Sequence, residues 1–214
     1  MHRLTANDIA NLFESVAALF DEKKDELCSM DAAMGDGDLG LTMSKGYGAL
    51  PSFLRENVGA GDIGMQLGKS AMKMQNLVPS TMGTLMSSGI LEAGKALRGK
   101  TELMPEDLVV FAEAFAVGIK KRGKCELGDR TLLDAVDAAA KAARELIKTS
   151  PDPSFLDVSA AAAHGAAEGA EATKAMEPKF GKAVVHAAKA KGVPDQGAVA
   201  GYYLYEGIAN YFAN

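Results

Sequence analysis

Between Asp31 and Gly40 the chain carries three aspartates and three glycines in ten residues. Like charges at this spacing repel, so the stretch persists only in water or gathered round a cation, and it reads as a site in a loop rather than as core. The alternation Gly35-Asp36-Gly37-Asp38-Leu39-Gly40 lets the backbone turn tightly enough to bring Asp31, Asp36 and Asp38 together. An EF-hand is excluded by register: counted from Asp36, the position that needs glycine holds Leu41 and the one that needs a bidentate glutamate holds Tyr47. With no histidine or thiolate nearby, zinc is disfavoured. Oxygen-only ligands point to a hard cation, and to Mg²⁺ over Ca²⁺ where a phosphate completes its shell.

The rest of the chain reads as helices. Alanine and methionine are plentiful, tryptophan is absent and aromatic residues make up 6%, which favours helices over a sandwich or barrel of strands. Thr5, followed by Asp8, caps a helix whose face is Ile9, Leu12, Phe13, Val16, Leu19 and Phe20. Residues 21–27 read as a charged continuation or a second short helix. A helix from Gly40 to about Ala49 is expected to end before Pro51. Asp62 caps Ile63–Leu77, with an apolar side of Ile63, Met65, Leu67, Ala71, Met72 and Met74.

Pro79 breaks that helix, and the next, from about Met82 to Leu97, opens with so many small residues that something must pack closely on its backbone. Pro105 opens a helix that closes at Lys120-Lys121-Arg122, with Gly123 as its C-terminal glycine. Further helices run from Gly128-Asp129-Arg130-Thr131 to about Ile147, from Asp157 or Ser159 to Lys174, from Lys182 to Lys191 and from Gly197 to Phe212. No strand, fixed repeat or dividing linker stands out. A single all-α bundle of about eight helices over residues 1–214 is the economical reading.

Several classes are disfavoured. A net charge of -5 offers no basic field for nucleic acid or an anionic membrane. The strongest apolar run, Leu108 to Ile119, is too short to span a bilayer and contains Glu113, and no signal-peptide core follows Met1, so a cytoplasmic setting is expected. Cys28 and Cys125 form neither a disulfide framework nor a metal motif, and Cys28 reads as a small core residue. Gly64 to Ser70 mimics a phosphate-binding loop but has three residues between its glycines where four are required, so Gly64 and Gly68 read as packing positions. His2, His164 and His186 stand in no nucleophile context and read as surface or packing residues.

The blocks Asp31–Gly40, Gly83-Thr84-Leu85, Arg122-Gly123-Lys124, Gly128-Asp129-Arg130-Thr131, Gly181-Lys182-Ala183 and Asp195-Gln196-Gly197-Ala198 together resemble, in order, the nucleotide-binding L subunit of dihydroxyacetone kinases (DhaL) and the equivalent C-terminal domain of single-chain dihydroxyacetone kinases. The resemblance implies a barrel of eight antiparallel helices holding ADP or ATP and two Mg²⁺ ions at one open end. It implies Asp31, Asp36 and Asp38 as metal ligands and Leu39, Gly40, Leu41 and Thr42 against the phosphates. Thr81 and Met82 would lie near the nucleotide, Gly123 and Leu132 would line the adenine pocket, and Lys182, Asp195, Gln196 and Gly197 would close the site.

Relatives often carry His, Ser, Arg and Pro where this chain has Leu39, Met82, Lys182 and Gln196; lysine keeps the charge but loses arginine's planar fork. The implied activity is phosphoryl transfer to dihydroxyacetone or a similar keto-sugar, such as a tetrulose, held on a separate K-type subunit. The donor would be an M-type phosphocarrier of the phosphotransferase system or free ATP. A nucleotide-loaded regulatory partner without chemistry is the alternative.

Overall fold

The computed structural model describes residues 3–214, so the reading of His2 lies outside the described residues. It contains ten α-helices: α1 (Ala6–Glu22), α2 (Lys24–Ala32), α3 (Leu39–Glu56), α4 (Ile63–Leu77), α5 (Thr81–Ala96), α6 (Pro105–Gly123), α7 (Leu132–Thr149), α8 (Phe155–Ala172), α9 (Ala187–Ala190) and α10 (Gln196–Ala213). Eight of them, all but α2 and α9, are 15–19 residues long. These pack in sequence, α1 on α3, α3 on α4 and so on through α8 on α10, and α10 returns to α1. The ring is closed. Its neighbours alternate in direction, so α3, α5, α7 and α10 all begin at one mouth and α1, α4, α6 and α8 at the other. No described helix is long and apolar enough to cross a membrane.

Aromatic rings fill the centre: Phe20 stacks on Tyr47 at 4.5 Å, and Phe111 on Phe115 at 5.8 Å. The walls close where helices meet backbone to backbone. A side chain on Gly64 of α4 would come within 2.4 Å of the Gly94 carbonyl of α5, and one on Gly118 of α6 within 2.5 Å of the Ser88 carbonyl. The density of small residues in α5 thus serves contacts along both of its flanks.

The helix starts follow local chemistry. The Thr5 amide and hydroxyl both donate to Asp8, Asp62 accepts from the Met65 amide at 2.9 Å, and Thr131 and Asp134 form a reciprocal cap on α7.

Elsewhere the structure departs from the sequence expectations. Helix α3 runs through Pro51 to Glu56, because Pro51 costs one amide donor while Leu50, Pro51 and Leu54 bury themselves in the ring. On α4, Met65 and Met72 are exposed while Gln66 and Ser70 are buried: the 3.6-residue stripe Ile63, Gln66, Leu67, Ser70, Ala71, Met74 decides the face, not residue type. Gln66 holds its place by donating to the Ala6 and Leu54 carbonyls.

Gly123 is the last residue of α6, and the left-handed position falls on Lys124. Helix α8 starts earlier than expected, because Ser154 caps it with Asp157 in reply. Residues 182–191 form a 3₁₀ turn and the single turn of α9 rather than one helix. Two residue pairs, β1 (Leu4–Thr5) and β2 (Glu102–Leu103), form a small antiparallel ladder at the mouth where α1 and α6 begin, where no strand was expected. Cys28 is half-buried, not core.

The α5–α6 seam yields a test. Gly118→Ala gains helix propensity of about 1 kcal/mol yet forces the backbones apart. Overpacking of this kind costs about 1–3 kcal/mol. Urea unfolding is expected to show net destabilisation, and an equally or more stable variant would exclude the close approach.

Candidate functional site

Helix α2 delivers Asp31 in its last turn, not in a loop as expected. Its Oδ2 accepts the amides of Gly37 (2.9 Å) and Asp38 (3.1 Å), folding the following loop back over the carboxylate. Two glycines permit this: a side chain on Gly35 would sit 2.5 Å from Asp31 Oδ1, and Gly37 has φ +77°. As a result Asp31, Asp36 and Asp38 each place one carboxylate oxygen within 4.8 Å of the others. Asp31 is buried and the other two face solvent. The donor set, all oxygen with Asp31 fixed by backbone amides, fits a hard divalent cation.

Across the loop, Lys182 Nζ lies 2.7 Å from Asp36 Oδ2. The contact lowers the Asp36 carboxyl below its ordinary range and raises the lysine; Asp31 and Asp38 add to the latter shift. Gln196 Nε2 approaches Asp31 Oδ1 at 3.4 Å.

Beside the cluster opens a cleft of about 520 Å³, within the usual ligand-pocket range of roughly 300–1,000 Å³. Four helix N-termini meet around it: Leu39 of α3, Ser80 to Met82 at α5, Thr131 and Leu132 at α7, and Asp195 to Gly197 at α10. Their partial positive charges favour an anion there. Ser80, Thr131 and Asp195 cap their own helices, whereas Asp38 makes no such bond and stays available. The cleft continues into a lobe of mixed lining, with Leu85, Ile119, Leu132 and Phe180 beside Thr84 and Arg122, and with Gly123 at its wall.

Most of the expected residues gather here. Asp31, Asp36, Asp38, Leu39, Thr42, Thr81, Met82, Leu132, Lys182, Asp195, Gln196 and Gly197 line the main cleft, and Gly123 lines the adjoining lobe. Gly40 and Leu41 do not. Gly40 packs on α2, where a side chain would strike the Lys24 carbonyl, and the Leu41 side chain is 58% exposed outside the cleft. Asp195 is buried as the cap of α10, accepting from the Ala198 amide at 2.9 Å.

Residues the sequence reading passed over also line the cleft, among them Ser80, Arg130, Thr131 and Phe180. Ser80 and Thr131 carried a signal, each being a hydroxyl residue just before a helix. Phe180 carried none.

Residues 33–210 match the DAK2 domain family. The ADP-binding subunit DhaL of a PEP-dependent dihydroxyacetone kinase 2 from Listeria innocua is 29% identical over 195 residues, covering 91% of this chain and 89% of that protein. Triokinase/FMN cyclase of Mus musculus is 29% identical over 208 residues, and the chain spans 35% of its length. Among solved structures, the dihydroxyacetone kinase from C. freundii in complex with AMP-PNP and Mg²⁺ superposes with a TM-score of 0.68 at 24% identity, over 94% of this chain and 33% of that one. That likeness concerns the fold.

Burial pushes the Asp195 carboxyl up to about 6 from an ordinary 3.8, against the pull of the Ala198 amide and Arg130. A carboxyl raised on folding favours the folded protein at low pH and weakens it as pH climbs through that interval. Asp195→Asn keeps the cap but cannot ionise. Between pH 4 and 7 wild type is expected to lose up to about 3 kcal/mol relative to the variant, read by denaturant unfolding at each pH. A pH-independent difference would refute the assignment.

Proposed function

The chain belongs to the DAK2 domain family, and from that premise we propose that it is the nucleotide-carrying subunit of a dihydroxyacetone kinase-type phosphotransferase. The observation that carries the reading is the meeting of three carboxylates with four helix N-termini at one cleft. A cation and a polyphosphate together answer both halves of that arrangement, which either alone would leave unbalanced. The name and near-complete span of the Listeria relative support ADP as the resident nucleotide.

Asp31, Asp36 and Asp38 would hold two Mg²⁺ ions, which when bound supply charge neutralisation for the phosphate oxygens. The chain's own groups do the remaining work. The first-turn amides of α3 and α5 face the anionic end, Thr42 offers a hydroxyl, and Lys182 exchanges Asp36 for phosphate oxygen. Leu132, Gly123 and Phe180 shape the adjoining lobe for the base. Asp195 holds the start of α10 so that Gln196 and Gly197 close the site.

Catalysis in phosphoryl transfer rests on positioning and charge stabilisation, so the chain needs no nucleophile of its own. The acceptor, dihydroxyacetone or a related small keto-sugar, is held by a K-type subunit, and the phosphoryl group comes from an M-type phosphocarrier or ATP. A cytoplasmic setting, where ADP and ATP are abundant, suits this reading, and no described helix is long and apolar enough to cross a membrane.

Asp36→Asn is the test. At ADP–Mg²⁺ a hundredfold above Kd, wild type gains about 2.7 kcal/mol against unfolding. The variant is expected to lose most of that gain while its ligand-free stability stays within about 0.5 kcal/mol, since Asp36 is exposed. With a K-type subunit and a phosphoryl donor, dihydroxyacetone phosphorylation should fall about 100-fold or more. Undiminished stabilisation and turnover in the variant would refute the reading.

A further inference from the structure

Residues 176–194 form a strap between α8 and α10 that crosses the cleft and carries Phe180 and Lys182. It has almost no core of its own. Its buried apolar residues are Ala183 and Ala190, and these cluster with Met34 from the aspartate loop, apart from the main core. A segment with so little buried apolar surface is held by polar contacts or opens easily.

Besides the Lys182–Asp36 pair over the aspartates, the strap's polar contacts converge on two consecutive residues in the turn before α7. Asp129 holds the strap's first part: its carbonyl accepts the Lys179 amide at 3.2 Å and its carboxylate takes Lys179 Nζ at 2.7 Å. Arg130 holds the last part: its Nη2 donates to the carbonyls of Ala190 (3.3 Å) and Val193 (2.9 Å). The same guanidinium places Nη1 3.5 Å from Asp195 Oδ1, at the cap of α10.

Arg130 is 2% exposed, an uncommon place for a charge, and its backbone sits at φ +59°, a left-handed position that glycine would occupy more readily. Neither the turn nor the burial favours arginine. The contacts across to the strap and to Asp195 do: a planar fork spreads its donors over separate nitrogens, so Nη2 serves two carbonyls while Nη1 faces a carboxylate, a spread that a single ammonium lacks.

We propose that Arg130 is a positioning residue that fixes the strap against the start of α10, and through it sets Lys182 and Gln196 over the three aspartates. The inference rests on the nucleotide reading above. It assigns Arg130 no contact with substrate: the residue borders the cleft, but its side chain is buried beneath that surface.

Arg130→Gly removes the fork and suits the left-handed backbone, so the turn itself is spared. In the full chain, ADP–Mg²⁺ affinity by calorimetry is expected to fall at least tenfold. Amides of Gly192 and Val193, bonded to the Lys174 and Ala190 carbonyls, should exchange at least tenfold faster while those of α1 and α3 keep their protection. Millimolar guanidinium should restore both readouts, which it would not do for a general loss of stability. The double variant Arg130→Gly/Asp195→Asn removes the stranded carboxylate and is expected to bind as weakly as the single one.

Unchanged affinity in Arg130→Gly, exchange raised evenly across the helices, absence of rescue by guanidinium, or recovery of affinity in the double variant would each overturn the proposal. Failure of wild type to bind ADP–Mg²⁺ would instead remove the nucleotide reading, leaving the exchange measurement to decide the strap's anchorage by itself.

Discussion

Closure of an even-numbered ring of antiparallel helices is the constraint from which the rest follows. Eight members alternating in direction must place four N-termini at each mouth, and closure demands that every seam be tight enough to bring the ends together. The glycine contacts between α4 and α5 and between α5 and α6 meet that demand. One mouth is plugged by the Leu4–Leu103 ladder and the Gln66 hydrogen bonds. The other remains open; the C-termini of α1, α4, α6 and α8 also reach it, but the four N-termini line the cleft, and the functional chemistry gathers at those positive ends.

Positive ends attract an anion but cannot by themselves hold a highly charged one together with a metal. The loop between α2 and α3 supplies the opposite sign, and it does so without a stable core, by wrapping Asp31 in backbone amides. Lys182 then balances Asp36 from across the cleft. Charges of both signs stand close without neutralising one another completely, as expected of a surface that exchanges partners during its work.

Much of this was legible in the residues. Helix starts that depend on a local pair, such as Thr5 with Asp8 or Asp62 before Ile63, read correctly because the cap and its acceptor lie within four residues. The gathering of Asp31, Asp36 and Asp38 was legible because the three lie within eight residues of one another, although Asp31 sits in the last turn of α2. What failed depended on distant neighbours. Pro51 stays inside α3 only because the ring buries Leu50 and Leu54 beside it, and the face of α4 is set by helices on either side. Gly40 looked like part of the phosphate loop, yet its missing side chain serves the approach of α2. Arg130 was quoted within a motif and given no role, since its partners Ala190 and Val193 lie 60 and 63 residues on.

The satellite cluster of Met34, Ala183 and Ala190 has a consequence for how such a protein can diversify. It ties the aspartate loop to the strap apart from the main core, so these two parts of the cleft share a small foundation of their own, while the N-termini of α3, α5, α7 and α10 belong to the barrel. Substitutions there are expected to alter binding and release more than the folding of the barrel, since the cluster lies apart from the main core. Lys182 stands on the strap, whereas Leu39 and Gln196 open α3 and α10 of the barrel. Through the strap, selection can therefore retune ligand residence independently of fold robustness, a separation that proteins with active sites embedded in their main core do not have.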